Sequence, residues 1–190
     1  DIQSHNTWHV GVDNYFTPTD GYRSPTDVGL TYGFANGRAE VGVDYLGGQD
    51  DPFFLNGKFL LAAETPKIPA LAVGVYNMGT EDGVTDYNMI YALAAKTFGS
   101  VRVTAGYCRG NEDALGTDED MLLLGLDSCL TKDKKWWGAV DYQSGENAFG
   151  AFSVGVSYAV APNVNLLVGY DFYNADGVDD TFTTQLDINF

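Results

Sequence analysis

Hydrophobic residues recur at every second position through twelve stretches of this chain, each about ten residues long: 7–16, 26–35, 38–47, 53–65, 70–78, 87–98, 101–110, 121–131, 136–145, 152–161, 164–174 and 181–190. A period of two is that of an extended strand, whose side chains point alternately to opposite faces. No stretch carries a helical stripe; the nearest, "MIYALAAK" at 89–96, is weakly patterned because of its alanines. The second face of these strands is unusual. In "VGVDN" at 10–14, "VGVDY" at 41–45, "LGLDS" at 124–128, "GAVDY" at 138–142 and "VGYDF" at 168–172, apolar residues alternate with small residues and aspartate. Aspartate is costly in a dry core. The polar face therefore meets water, and the apolar face needs a different apolar neighbour.

The connections alternate strictly between two classes. The tight ones are "NG" at 36–37, "TPKIP" at 65–69, "FGS" at 98–100, "TKDKK" at 131–135 and "APN" at 161–163. Asn36-Gly37 is a hairpin signal, since both residues tolerate positive φ. The longer ones are acidic: 17–25, 47–52, 79–86, 111–120, 144–150 and 175–180. Strands of about ten residues, short turns at one end and longer loops at the other describe a transmembrane β-barrel. An even strand number puts both termini at the turn end, and closure removes the exposed sheet edges. The expected fold is all-β: a closed antiparallel up-and-down transmembrane barrel of about twelve strands, one domain over 1–190. A soluble sandwich is disfavoured because twelve strands in 190 residues leave no room for a second sheet's connections.

Aromatic placement supports the membrane reading. Tyr45, Tyr107, Tyr142, Phe172 and Phe182 fall near the loop ends of their strands, and Trp8, Phe34, Phe98, Trp136 and Phe190 near the turn ends. Such belts suit the two interfaces of a bilayer. The last strand, "FTTQLDINF", ends in Phe190 with Phe182, Leu186 and Ile188 on the same face. It resembles the C-terminal strand by which bacterial outer-membrane barrels are recognised for assembly, though Ile188 stands where an aromatic is often found. The runs "PALAVGVYNMGT" and "VRVTAGYCRGN" are similar to those of small porin-like and exopolysaccharide-associated barrel proteins. The resemblance implies a bacterial outer-membrane location and, as partners, membrane lipids, lipopolysaccharide and the barrel-assembly machinery.

Composition closes other routes. The net charge of -16 repels nucleic-acid phosphates. No apolar run approaches the roughly 18 residues of a membrane helix. The start at Asp1 is what a mature secreted protein would show after signal cleavage, or a trimmed chain. Hydrolase chemistry lacks support: the histidines are His5 and His9, and there is no G-x-S-x-G elbow. Paired carboxylates for acid–base work are simpler to read as charge in a wet lumen. Cys108 and Cys129 are expected to be free, because hairpin pairing puts Cys108 near residue 123, about six residues from Cys129. The segment "NEDALGTDED" does not match a calcium loop. It is read as a solvated face, with Ca²⁺ or Mg²⁺ bridging to lipopolysaccharide phosphates as the alternative cofactor role.

Phasing assigns Asp13, Glu40, Asp44, Lys58, Lys96, Arg102, Asp127, Asp141, Asp171 and Asp187 to the lumen, with Asp27, Glu64 and Arg38 beside them and Tyr15, Tyr76, Leu123, Trp137 and Tyr173 as inward bulk. The acids outnumber the bases. The leading expectation is a narrow passive channel for small hydrophilic solutes that prefers cations. The rival is a structural or docking barrel with an unknown protein partner. No connection exceeds about ten residues, so none is expected to plug the pore.

Overall fold

A computed structural model describes residues 2–19, 25–48, 50–116 and 118–190. Twelve strands form it: β1 (Trp8–Phe16), β2 (Asp27–Phe34), β3 (Ala39–Leu46), β4 (Phe53–Ala62), β5 (Ala70–Met78), β6 (Met89–Phe98), β7 (Val101–Arg109), β8 (Asp120–Cys129), β9 (Trp136–Gln143), β10 (Ala151–Ala161), β11 (Val164–Tyr173) and β12 (Thr181–Asn189). Each pairs antiparallel with its sequence neighbours, and β1 pairs with β12 to close the barrel. Every stretch of alternating sequence is one strand. The seam runs from Phe16↔Phe182 to His9↔Asn189, and two further bonds, Trp8 N–H to Phe190 O and Phe190 N–H to Trp8 O, extend it past the last strand residue.

Alternation sorts each strand into two faces. Val28, Leu30, Val41, Leu124, Leu126, Val140, Val154, Val156, Leu166 and Val168 stand exposed on the outside. In a soluble protein so broad an apolar surface would be a liability; around a barrel it is the lipid-facing band. The ten belt aromatics are exposed on the same face. Trp8 lies 4.6 Å from Tyr32 and Trp136 4.8 Å from Tyr158 at the turn end, while Tyr45 lies 5.3 Å from Phe53 at the loop end.

Two register shifts interrupt the ladder between β4 and β5, at Leu55/Gly57 and at Leu60/Ala62. At the first, Asn77 adopts φ 49° and its N–H donates to Asn56 Oδ1 at 2.9 Å. The 35–37 turn holds Ala35, Asn36 and Gly37 all at positive φ, so the left-handed run begins one residue before the asparagine. A short helix, α1 (Glu112–Leu115), sits in the β7–β8 loop, capped by the Asn111 side chain at the Asp113 N–H. The alternation pattern could not show it, because one helical turn has no repeat.

Candidate channel lumen

The inward face carries Asp13, Asp27, Glu40, Asp44, Asp127, Asp141, Asp171 and Asp187, with Lys58 and Arg102. Their arrangement is uneven. Asp13 pairs across the ladder with Asp27, Asp44 sits opposite Gly29, and Asp187 sits opposite Gly11. These four acids form one patch on β12, β1, β2 and β3. Asp44 accepts a hydrogen bond from Asn56 Nδ2 at 2.5 Å, and His9 Nε2 lies 3.3 Å from Asp187 Oδ1. The bases are elsewhere. Lys58 Nζ is 3.0 Å from Glu40 Oε1, and Arg102 is the ladder partner of Asp127, which also accepts from Trp137 Nε1 at 3.2 Å.

The glycines next to these acids have a steric role. A Cβ at Gly29 would stand 2.7 Å from Asp44 Oδ1, and one at Gly125 2.6 Å from Asp141 Oδ1. Each carboxylate lies flat along the wall over a neighbouring strand's glycine. Gly42 receives the Thr31 hydroxyl and Gly74 the Tyr91 ring in the same way. At Gly29 and Gly125 the glycine–acid pattern is therefore a packing device: residues with no side chain leave grooves in which the carboxylates of Asp44 and Asp141 lie.

Three sequence assignments need correction. Lys96 is on the outward face with Ile90 and Phe98, opposite Val103. It lies at the turn-end rim, where its ammonium reaches the Thr65 carbonyl and Glu64 Oε1 at 3.1 Å. A lysine there is tolerable because the cost of a charge on the lipid face falls to about 0–1 kcal/mol near the interface. The alanines of 89–96 carry too little contrast to reveal the phase. Arg38 also belongs to the rim: it donates to the Leu60 and Leu61 carbonyls, with its guanidinium 5.6 Å from the Phe59 ring centre. Glu64 lies in the β4–β5 turn, where the Thr97 N–H, then Lys96 and the Thr97 hydroxyl, hold its carboxyl down to about 2.

The loops also differ from expectation, because short connections do cover part of the lumen. Leu115 of α1 is buried against Met89, Cys108 and Met121, with Tyr87, Tyr91, Leu123 and Phe149 packed around them. Phe54 stacks on Tyr87 at 6.1 Å, and Tyr87 meets Phe149 edge-on at 4.9 Å. Polar bonds knit the three loops together. Asn111 Nδ2 donates to Asp86 Oδ2 at 2.6 Å, its N–H to the Tyr87 carbonyl at 2.8 Å, the Glu146 N–H to Asp118 Oδ2 at 2.8 Å and Asn147 Nδ2 to the Asp118 carbonyl at 2.9 Å. No single loop is long enough to plug the barrel, but three together roof the loop end over β4–β9. Of the acids in 111–120, Asp118 takes part in these bonds, while Glu119 pairs with Arg109 and Asp120 accepts from Tyr107 on the exposed side of β7.

Beneath the roof, at the turn end, lies a cavity of about 800 Å³ lined by Lys58, Leu93, Thr97, Arg102, Asp127 and Trp137, among others. Residues of the N-terminal segment enter it, with the Gln3 N–H donating to Glu40 Oε2 at 2.5 Å. Both cysteines are free. Cys108 is buried in the roof cluster and Cys129 is exposed at the turn end. Cys108 pairs with Met121 rather than residue 123, so the two thiols are further apart than expected.

Several solved barrels share this architecture. The KdgM porin superposes with a TM-score of 0.59 at 11% identity, covering 96% of this chain and 98% of that one. The same porin in complex with disordered oligogalacturonate gives 0.62 at 12%, covering 96% and 99%. An outer membrane channel from Pseudomonas putida F1 gives 0.62 at 12%, covering 100% and 98%. The fold is that of outer-membrane porins. No protein-family model matches the chain, and no curated protein does. At these identities the likeness to porins concerns the path of the chain, and the lumen chemistry is this chain's own.

Proposed function

We propose that this chain is an outer-membrane channel for small hydrophilic solutes, narrow and selective for cations. The observation that carries this reading is the inward face, on which, among the described strand residues, eight carboxylates stand with two permanent bases. Carboxylates along a wet pore raise the local concentration of cations and repel anions. The KdgM porin has been solved with oligogalacturonate, a polyanion. The acidic wall here disfavours such a solute, so the shared architecture is read as serving a different charge class. The belts and outward aliphatic band suit lipid and lipopolysaccharide, and the strand Phe182–Phe190 suits recognition by the assembly machinery.

The roof over β4–β9 favours a second reading, a structural barrel with a closed lumen. Planar-bilayer recording of the purified protein separates the two. A cation-selective reversal potential in a salt gradient is the expected result. Anion selectivity would overturn the charge argument, and the absence of conductance would favour the structural barrel.

A further inference from the structure

Ahead of β1 the chain folds back into the barrel. A turn over residues 4–7 reverses the backbone: the Thr7 N–H donates to the Ser4 carbonyl at 3.2 Å, the Thr7 hydroxyl donates to the same oxygen at 2.7 Å, and Asn6 holds φ 58°. The Asn6 N–H donates to the Gly33 carbonyl at 2.8 Å, which ties the turn to the end of β2. Upstream of the turn, Gln3 lies across the inward faces of four strands. Its N–H donates to Glu40 Oε2 on β3 at 2.5 Å. Its Nε2 donates to Thr7 Oγ1 at 2.8 Å and to Asn189 Oδ1 on β12 at 3.3 Å. Neighbouring strands lie about 4.8 Å apart, so from β12 to β3 this one residue bridges roughly 14 Å of wall.

Gly33 is the seat for this segment. It is buried and is the inward ladder partner of Glu40. A Cβ there would overlap the carbonyl oxygens of Gln3 and Ser4. Those are backbone atoms, so no side-chain rotation relieves the overlap, and the segment itself would have to move. Glu40 is held in place from its other side, since Lys58 Nζ lies 3.0 Å from Oε1 of the same carboxylate. The bond it accepts from Gln3 is charge-assisted and therefore among the stronger ones. Ile2 and Ser4 line the turn-end cavity of about 800 Å³, facing Lys58, Leu93, Arg102 and Trp137. The segment thus stands within the lumen.

We propose that residues 2–6 are an internal plug: they obstruct the turn end of the lumen beside β12, β1, β2 and β3, seated on Gly33 and latched by Glu40. The plug does the work that an infolded loop would do, from the N-terminal side of the first strand. This goes beyond the channel reading and stands without it, because the obstruction concerns access to the lumen and not the solute.

Two changes unseat the plug by different routes: Gly33→Ala, and deletion of residues 1–5. Gly33 is not at positive φ, so alanine suits the strand and acts on the segment alone. Amide exchange in micelles reads docking. The Gln3 and Asn6 amides should be protected in the parent and should exchange at least tenfold faster in Gly33→Ala, with strand amides unchanged. Thiol labelling reads obstruction. In a background of Cys108→Ala and Cys129→Ser, Thr104→Cys places a reporter on the cavity wall, with Leu93→Cys as a substitute should the first not fold. A polyethylene-glycol maleimide should modify that thiol at least tenfold faster in both unseated proteins than in the parent. Unprotected Gln3 and Asn6 amides in the parent, or a reporter rate that neither change raises, would overturn the plug. Conductance is measured separately: a deletion variant that stays silent while its reporter reacts freely would refute the channel reading and leave the plug standing.

Discussion

Asp44 lies over Gly29: a Cβ at that glycine would stand 2.7 Å from the carboxylate oxygen, in the place the side chain now occupies. The carboxylate is the mobile end of its side chain, so Gly29→Ala should displace it into the lumen at small cost. Alanine is also the better strand residue by about 0.5–1 kcal/mol. Gly74→Ala is different, because its Cβ would meet the Gly57 carbonyl at 2.5 Å as well as the Tyr91 ring. Overpacking of that kind costs about 1–3 kcal/mol. Unfolding in detergent should show Gly74→Ala clearly destabilised and Gly29→Ala within about 1 kcal/mol of the parent; the reverse order contradicts the steric account.

The placement of lysines predicts a contrast in selectivity. Lys58 faces the lumen beside Glu40, whereas Lys96 faces outward at the rim. Lys58→Gln should strengthen cation preference. Lys96→Leu should leave the reversal potential where it was. A shift on Lys96→Leu as large as that on Lys58→Gln would return Lys96 to the lumen.

Selectivity should depend on salt. The screening length falls from about 10 Å at 0.1 M to about 3 Å at 1 M. Cation preference should weaken over that range, and Asp44→Asn should lower it most at the dilute end. Selectivity that holds constant up to molar salt would point to size or specific contacts rather than to the carboxylate field.

Glu64 gives the turn end a pH dependence. Its carboxyl is held down to about 2 against an ordinary 4.5, chiefly by the Thr97 N–H. A depressed value means that the ionised form is the one stabilised by folding. The contribution is present above pH 4.5 and is lost as pH falls towards 2. Glu64 is solvent-exposed, so the effect is small. Thermal unfolding from pH 5 to pH 2 should show a shallower acid loss for Glu64→Gln than for the parent, and identical profiles would deny Glu64 that role.

Phe190 should matter more for assembly than for stability. Its side chain is outward, and its backbone makes two bonds with Trp8 at the seam. Phe190→Ala keeps those bonds and removes at most about 1.5–3 kcal/mol of apolar contact. Refolding in detergent should therefore succeed while insertion in cells falls sharply. Deleting the residue, which also removes the seam bonds, should impair both. Normal insertion of Phe190→Ala in cells would exclude the side chain as an assembly signal.

The barrel was legible in the amino-acid sequence because its determinants are local. Side chains alternate along any strand, so "VGVDY" at 41–45 declares by itself which residues share a face, and the alternation of turns with acidic loops declares which end is which. Strand number, antiparallel order, the aromatic belts and the surplus of carboxylates all follow from residues read in sequence. Lys96 escaped because the alanines around it present two nearly equal faces. What only the tertiary structure decided depends on residues brought together from distant segments. The roof joins Tyr87, Leu115 and Phe149 from three loops, none of which is long enough to cover the lumen alone. The resting of Asp44 on Gly29 depends on ladder register, set by the geometry of the intervening turn and by closure of the whole sheet. A period of two tells a side chain which way to point, but not which neighbour from another strand or loop it will meet there.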